Sequence, residues 1–530
     1  MPLCSELPSS PLFSSSFSDR SLFPNFAVSI ILEFIVFLPL LAALVIGLGA
    51  PARATALGVS VAILLASLAT AIRFDTSVEG PMQFISSHAL LTMQGIPKLS
   101  LAFGLDGISL VLLLLAAIVM VAAVWVSPQE SDIKKGSARL YYASLLLIGG
   151  GAIGAFCSTD LFFLYAFHEL ALIPTFLMIG IFGHGENRVK TAWTITIFLG
   201  VGSLILLVGL IAAVVALGGS TFAIADLIIL AQNPETGIAA DSQKWIFPLL
   251  LVGFGVLVSL FPFHSWAAPA YSEAPTPVAM LHAGVLKKFG LYGLIRIAMP
   301  MLPAGAEMYL NVILVLLLGN IIYLGLVTVA QKSLDRMLGY SSVMHMGYIF
   351  LGIAAGNALG LSGAVLLMFA HGISIALLFA LAGWMRDRFG TLRFDELGGV
   401  AKSLPKLGLM FGFAAFAAAG LPGFANFAAE VAVFFGAFQG EGETIGWLRW
   451  ATIIALWGVV ISAVYMLRAY RHLFMGPKPA KLETGADLTW ATRIPILLLV
   501  ATLILVGFVP ETLNQFIRPA VEGLLPTKAG

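Results

Sequence analysis

Long apolar runs, each about the length of a bilayer-crossing helix and divided by short polar loops, fill most of this 530-residue chain. A helix needs about 20 apolar residues to cross the hydrocarbon core. About fourteen segments qualify, centred near residues 38, 63, 116, 148, 171, 203, 252, 288, 316, 346, 373, 421, 460 and 501. In lipid every backbone N–H and C=O must find its partner inside the protein, so only helices and closed barrels span. The paired alternating segments of a barrel are absent. The chain therefore reads as an all-α polytopic membrane protein of about 14 transmembrane helices. Composition agrees, with 59% hydrophobic and 10% charged residues. No soluble fold of this size has polar surface enough to cover so much apolar area. The net charge of +1 argues against a nucleic-acid partner. Two cysteines, Cys4 and Cys157, cannot build a disulfide framework or a thiolate metal site alone.

The first 26 residues are rich in Ser, Pro and Phe, with Arg20 as their only base. The apolar stretch from Ala27 to Leu48 is long enough to stay as a membrane helix, so the segment before it reads as a loose extension rather than a signal peptide. The remainder divides into three N-terminal helices (27–135), a first five-helix unit (138–302), a second (305–474), and a last helix with its tail (490–530). With alternating sides, eighteen of the 28 Lys and Arg residues fall on one face, among them Arg53, Lys134, Lys135, Arg139, Arg188, Arg386 and Lys481. Eight fall on the other, including Arg73, Lys244, Arg449 and Lys528. The richer face should be cytoplasmic, with both termini facing outward. Lys287 and Lys288 fit neither face, because they lie in mid-span.

An ionisable group at bilayer depth is costly unless it pairs, meets water or loses its charge. Glu33, Glu169, His282, Lys287, Lys288, His345, His371 and Glu430 are such groups. Glu33, near the start of its span, reads well as a snorkelling side chain, and His282 and His345 read equally well as satisfied core histidines. Glu169, Lys288 and Glu430 sit deeper. Lys, Glu and His without an external ligand suit protons, since burial disfavours the charged form of acids and bases alike and brings both within reach of neutral pH.

Two prolines add a second signal. Pro262 interrupts the seventh span in Phe261-Pro262-Phe263-His264-Ser265-Trp266, and Pro422 the twelfth in Gly420-Leu421-Pro422-Gly423-Phe424. Proline removes a helical bond and frees carbonyls, which is tolerated at membrane depth where the gap lines a polar cavity. Breaks five helices apart suggest two inverted five-helix repeats, spans four to eight and nine to thirteen, the pattern of ion transporters. An ordinary proline kink is the bland alternative for either one.

Phe261-Pro262-Phe263-His264 with Trp266, Ser272-Glu273-Ala274-Pro275-Thr276, Leu286-Lys287-Lys288 and Tyr292-Gly293-Leu294-Ile295-Arg296 resemble the antiporter-like subunits of respiratory complex I. Those subunits are similar in turn to the large subunits of multisubunit cation/proton antiporters. Tyr340 to Gly347 and His371-Gly372 match further signatures, and the likeness runs from about Leu105 to Arg471. Sister subunits carry lysine in the twelfth span where the subunit M type (mitochondrial subunit 4) carries glutamate. Here that position is Glu430, which favours the M type.

The resemblance implies a proton pathway through Glu169, Lys288, His345, His371 and Glu430. Asp106 and Asp160 match family acids near membrane edges, where a helix cap explains them equally well. Two departures stand out. Leu257 occupies the place of a seventh-span lysine, and Pro269-Ala270-Tyr271 replaces an acid and a histidine. Glu169 thus lacks its expected cationic partner. Lys287, His168, His264 and His282 are the candidate compensating groups, with Lys287 expected to approach Glu169. Adjacent helical residues point about 100° apart, so Lys287 and Lys288 cannot face one cavity in the same way.

Gly149-Gly150-Gly151-Ala152-Ile153-Gly154 fits the dinucleotide-binding glycine pattern, but it lies inside a membrane span, where small residues serve close packing. No cysteine cluster or metal-ligand spacing is present in the sequence. This chain is thus expected to bind no cofactor and to hold no redox site. NADH, FMN, iron–sulfur clusters and quinone are expected in partner subunits, and neighbouring antiporter-like subunits, the lipid bilayer and protons are its expected partners. An antiporter or membrane-bound hydrogenase subunit, and a structural spacer that has lost pumping through Leu257, are the competing readings.

Overall fold

The computed structural model describes residues 22–77, 82–91, 97–133, 137–439, 445–477 and 486–525, with side chains from residue 30 onward. Cys4, Arg20, Lys134, Lys135, Lys481 and Lys528 lie outside these residues. Thirteen described helices are long and apolar enough to cross a membrane. A fourteenth crossing is made by two shorter helices, Pro405–Ala418 and Ala425–Phe438, with Pro422 between them. The first helix runs Leu22–Gly47 and so begins before the expected Ala27.

The third (Gly107–Val126), eighth (Thr276–Met301) and eleventh (Ala358–Phe389) spans are buried throughout their apolar windows, and the tenth (Leu334–Ala354) nearly so. The first, second and fourteenth bury only 28–39% of theirs. The protein is therefore a hub of central helices ringed by helices with one face outward. The hub is where the sequence put its most expensive side chains, Lys288, His345 and His371.

The glycine pattern packs helices together. A methyl group on Gly151 would come within 2.7 Å of Phe167 O, and one on Gly154 would strike the Phe167 ring, both on the fifth span. Gly149 and Gly150 sit equally close to Met120 on the third span and Pro39 on the first. Asp106 and Asp160 cap helices: Asp106 accepts from Ser109 N at 2.8 Å, and Asp160 from Phe162 N and Phe163 N. Asp106 also pairs with Arg296 at 2.6 Å, so it ties the third span to the eighth.

The helices are joined by one feature that an all-α reading omits. Residues between the second and third spans form an antiparallel hairpin, β1 (Gln83–Leu91) with β2 (Leu99–Leu105). Hydropathy counts span length and is blind to so short a pair. His88 of β1 meets Glu33 of the first helix at 2.8 Å. Glu33 therefore reaches from the start of its span to a partly exposed partner on the hairpin.

Both prolines fall in real breaks. The seventh span ends at Val258, turns through Pro262, and resumes as the short helix Ala267–Glu273. In the twelfth, Gly420 and Gly423 take the left-handed φ values of 69° and 94° that the turn around Pro422 requires. The eighth span is irregular too, with π turns at His282–Leu286 and Leu294–Ala298. Such turns frequently mark functional sites.

Candidate functional site

Lys288 and Lys287 follow the first π turn of the eighth span, and both are fully buried. In that loosened ladder Ala283 O accepts a hydrogen bond from Lys288 Nζ at 2.7 Å. The same ammonium donates to His371 Nδ1 at 2.9 Å, across to the eleventh span. The His371 ring then lies 5.4 Å, centroid to centroid, from that of His345 on the tenth. His345 bonds through Nδ1 to Ser341 O at 2.8 Å and through Nε2 to Ala418 O at 3.1 Å.

Ala418 is the last residue of the first half of the twelfth span, where a helix leaves carbonyls without internal partners. The break thus presents one of those carbonyls to a buried histidine. On the far side of the turn is Glu430, also buried. A methyl group on Gly420 would come within 2.4 Å of Glu430 Oε2, so the glycine leaves the carboxyl its room. Lys288, His371 and His345, three residues proposed from sequence, therefore follow one another through the hub, and Glu430, a fourth, lies across the twelfth-span break.

Glu169 stands apart. Its side chain is 34% exposed on the surface of the isolated chain. Its carboxylate accepts from Ser203 Oγ, which lies beside Tyr165 Oη, and His168 Nδ1 stands 3.5 Å away. That nitrogen makes no well-formed hydrogen bond, so the contact is electrostatic rather than directional. His168 is the candidate cation that Glu169 meets. Its ring stacks on Phe289, next to Lys288, at 4.0 Å.

Lys287 does not fill the gap. Its ammonium donates to Ser342 Oγ at 3.3 Å and lies 5.4 Å from the centre of the Tyr271 ring. No ion pair joins it to Glu169 among the described residues. The expectation that it approaches Glu169 is corrected: rotation by one residue from Lys288 aims it toward the tenth span instead. Leu257 is buried in the apolar core. His282 faces Tyr271 Oη at 3.4 Å, and His264 stacks on Phe261 at 5.7 Å, so neither reaches Glu169.

Three contributors escaped the sequence reading. Asn320, fully buried on the ninth span, accepts from Phe261 N at 2.6 Å and donates to Ser259 O and Val343 O. A lone amide in an apolar run was a usable signal for it. Asn426 donates to Ser374 Oγ at 3.3 Å beside the twelfth-span break. Tyr348 is buried one turn beyond His345, and tyrosine in a membrane helix carries no comparable warning.

A cavity of about 690 Å³ opens where the third, fifth and eleventh helices end and the eighth begins. Arg53, His184, Thr276 and Asp387 are among its lining. Burial, with help from Arg386, lowers the pKa of His184 to about 4, so this loop imidazole stays neutral at physiological pH. Among the described residues no group of three or more His, Cys, Asp or Glu is placed to hold a metal ion.

The family described as "NADH:quinone oxidoreductase/Mrp antiporter, TM" matches residues 158–461. Among curated relatives, NADH-quinone oxidoreductase subunit M of Rhodobacter capsulatus is 33% identical over 516 residues, 93% of this chain and 96% of that one. NAD(P)H-quinone oxidoreductase chain 4 2 of Trichodesmium erythraeum is 34% identical over 504 residues, 94% and 84% of the two chains. Among solved structures, a chain of respiratory complex I from Thermus thermophilus with bound NADH superposes with a TM-score of 0.82 at 28% identity, covering 93% of this chain and all of that one. A chain of the Mrp complex from Dietzia sp. gives 0.80 at 21% identity, a likeness of fold, over 95% and 98% of the chains. With its fourteen crossings, its broken twelfth helix and relatives of this coverage, the chain belongs to the antiporter-like membrane-subunit family of NADH:quinone oxidoreductases and Mrp antiporters, alongside its subunit M and chain 4 members.

Proposed function

We propose that this chain is a proton-translocating subunit of an NADH–quinone oxidoreductase, driven by electron transfer in partner subunits that carry NADH, FMN, iron–sulfur clusters and quinone. The observation that carries the reading is the file Lys288–His371–His345, which ends on a carbonyl of a broken helix beside a buried glutamate. Such a file has no metabolite to bind and every means of passing a proton. Lys288 gives a proton to the ring nitrogen of His371 that already accepts its hydrogen bond. His345 can donate to Ser341 O and Ala418 O together only when both its nitrogens carry hydrogen. Gain of a proton at His345 is thereby tied to closure of the bond at the break, and the negative end of the preceding helix favours the added charge. Glu430 is the exit group.

Eighteen basic residues against eight support a cytoplasmic side at the end with the 690 Å³ cavity, where protons enter, and a periplasmic side for both termini. Other membrane subunits, antiporter-like ones among them, are the neighbours, in a bacterial inner membrane. Leu257 supports a second reading, a spacer with impaired pumping, because among the described residues it leaves His168 as the only ion-pair neighbour of Glu169.

Glu430→Gln tests the first reading. The substitution keeps shape and removes titration, so proton translocation should fall by roughly tenfold or more while the complex still assembles. Undiminished pumping by an assembled variant removes Glu430 from the path.

A further inference from the structure

The Tyr348 hydroxyl is buried and has no hydrogen-bond partner among the described residues. Leaving a hydroxyl so is expensive, and phenylalanine would fill the same space without that penalty. Tyr465, also buried on the neighbouring thirteenth span, shows the usual arrangement: its hydroxyl is satisfied by Ser341 Oγ at 2.8 Å. Among the described residues His371 Nε2 and Asn426 Oδ1 are unmet as well, so the Tyr348 hydroxyl is one of a group of open polar atoms around the twelfth-span break.

Its position gives the open hydroxyl a use. The ring packs edge-on against His345 at 5.7 Å and against Phe434 at 5.5 Å. Phe434 is four residues after Glu430 and shares its helix face. Tyr348 thus packs on the histidine at one side of the twelfth-span break and on the helix face that carries the glutamate at the other. Gly458 of the thirteenth span makes room for the oxygen, since a methyl group there would come within 2.4 Å of it. His345 has both nitrogens committed to carbonyls, and its bond to Ala418 O leads into the backbone of the break rather than to the Glu430 carboxylate. A donor and acceptor is needed between them.

We propose that the Tyr348 hydroxyl is that station, passing a proton between His345 and Glu430, an inference that rests on the proton-translocating reading above. Tyr348 Oη makes no direct hydrogen bond to either group, so each hop runs through a bridging water: an N–H bond of His345 breaks as its proton relays through one water to form a new O–H bond on Tyr348, while the original O–H proton relays through another to the Glu430 carboxylate. The tyrosine ends neutral, the imidazolium has lost one proton and the carboxylate has gained one, so charge and atoms balance.

Tyr348→Phe tests this in the intact complex, in sealed vesicles energised with NADH. Proton translocation should fall by roughly tenfold or more, with the amount of assembled complex equal to or above that of the parent. Parent-level translocation overturns the proposal, and so does a loss that merely parallels a loss of assembled complex. Tyr465→Phe serves as the contrast: it removes a satisfied hydroxyl and should lower the assembled amount more than the translocation per complex. A Tyr465→Phe complex with translocation as low as that of Tyr348→Phe would also overturn the assignment. Glu430→Gln measured alongside separates the two levels. Impaired Glu430→Gln with normal Tyr348→Phe removes only the tyrosine, whereas normal Glu430→Gln removes the pathway itself.

Discussion

The two broken helices use the same backbone device and close it with different chemistry. At the first break, Trp266 donates to Val256 O at 3.1 Å, and Asn320 takes Phe261 N while donating to Ser259 O. All of these partners are neutral and none titrates near pH 7. At the second, the helix-end carbonyl of Ala418 goes to His345, and the turn is shaped around Glu430. Freed carbonyls at membrane depth must be satisfied either way. An amide and an indole make a clasp, whereas an imidazole and a carboxyl make a place where a proton can stop. The proline alone says that a gap exists; the partner says what the gap is for.

That contrast can be broken most readily at Asn320. Asn320→Ala strips partners from Phe261 N–H, Ser259 O and Val343 O at once, at a cost of about 3 kcal/mol or more. The yield of assembled complex should drop sharply while translocation per assembled complex stays near the parent's. A selective loss of translocation would make the first break a proton site as well. At the second break, His345→Gln should have the opposite signature. Assembly should hold and translocation should fall by roughly two- to fivefold, since bridging water can replace one imidazole. A complex that does not assemble would return His345 to the core-histidine reading.

The smallest effect is expected at Lys287. Among the described residues its one side-chain hydrogen bond is to Ser342 and it has no carboxylate partner, so Lys287→Met should change translocation by less than about twofold, as buried charges often yield to apolar groups at little cost. Lys288→Met should be severe, because it removes the donor to both Ala283 O and His371. Equal effects of the two substitutions would show that Lys287 works in the path despite its placement.

Span number and the sites of both breaks were legible because they depend on length and on proline, which leave unambiguous marks. The members of the hub file were legible because titratable residues are rare at membrane depth, so Lys288, His345, His371 and Glu430 each announced themselves. Their order was not, since it depends on which helix faces which. Lys287 shows the limit: sequence supplied the extra charge and the missing partner at Leu257, but the direction of one side chain decides whether they meet. Asn320 could have been found by the same rule that found the charges. Tyr348 could not, because what sets it apart is an unmet hydroxyl.

Gly284 and Gly372 meet where the eighth and eleventh spans cross. A methyl group on Gly372 would lie 2.7 Å from Gly284 O and 2.6 Å from Leu115, and one on Gly284 would lie 3.0 Å from Gly372 O. Lys288 and His371 project from those same two helices, one turn beyond Gly284 and immediately before Gly372. The gauge of the 2.9 Å contact between them is therefore set by bare backbone against bare backbone, and a single added carbon would widen it. Two missing methyl groups, which carry no charge and touch no proton, fix the tolerance to which the titrating groups are assembled.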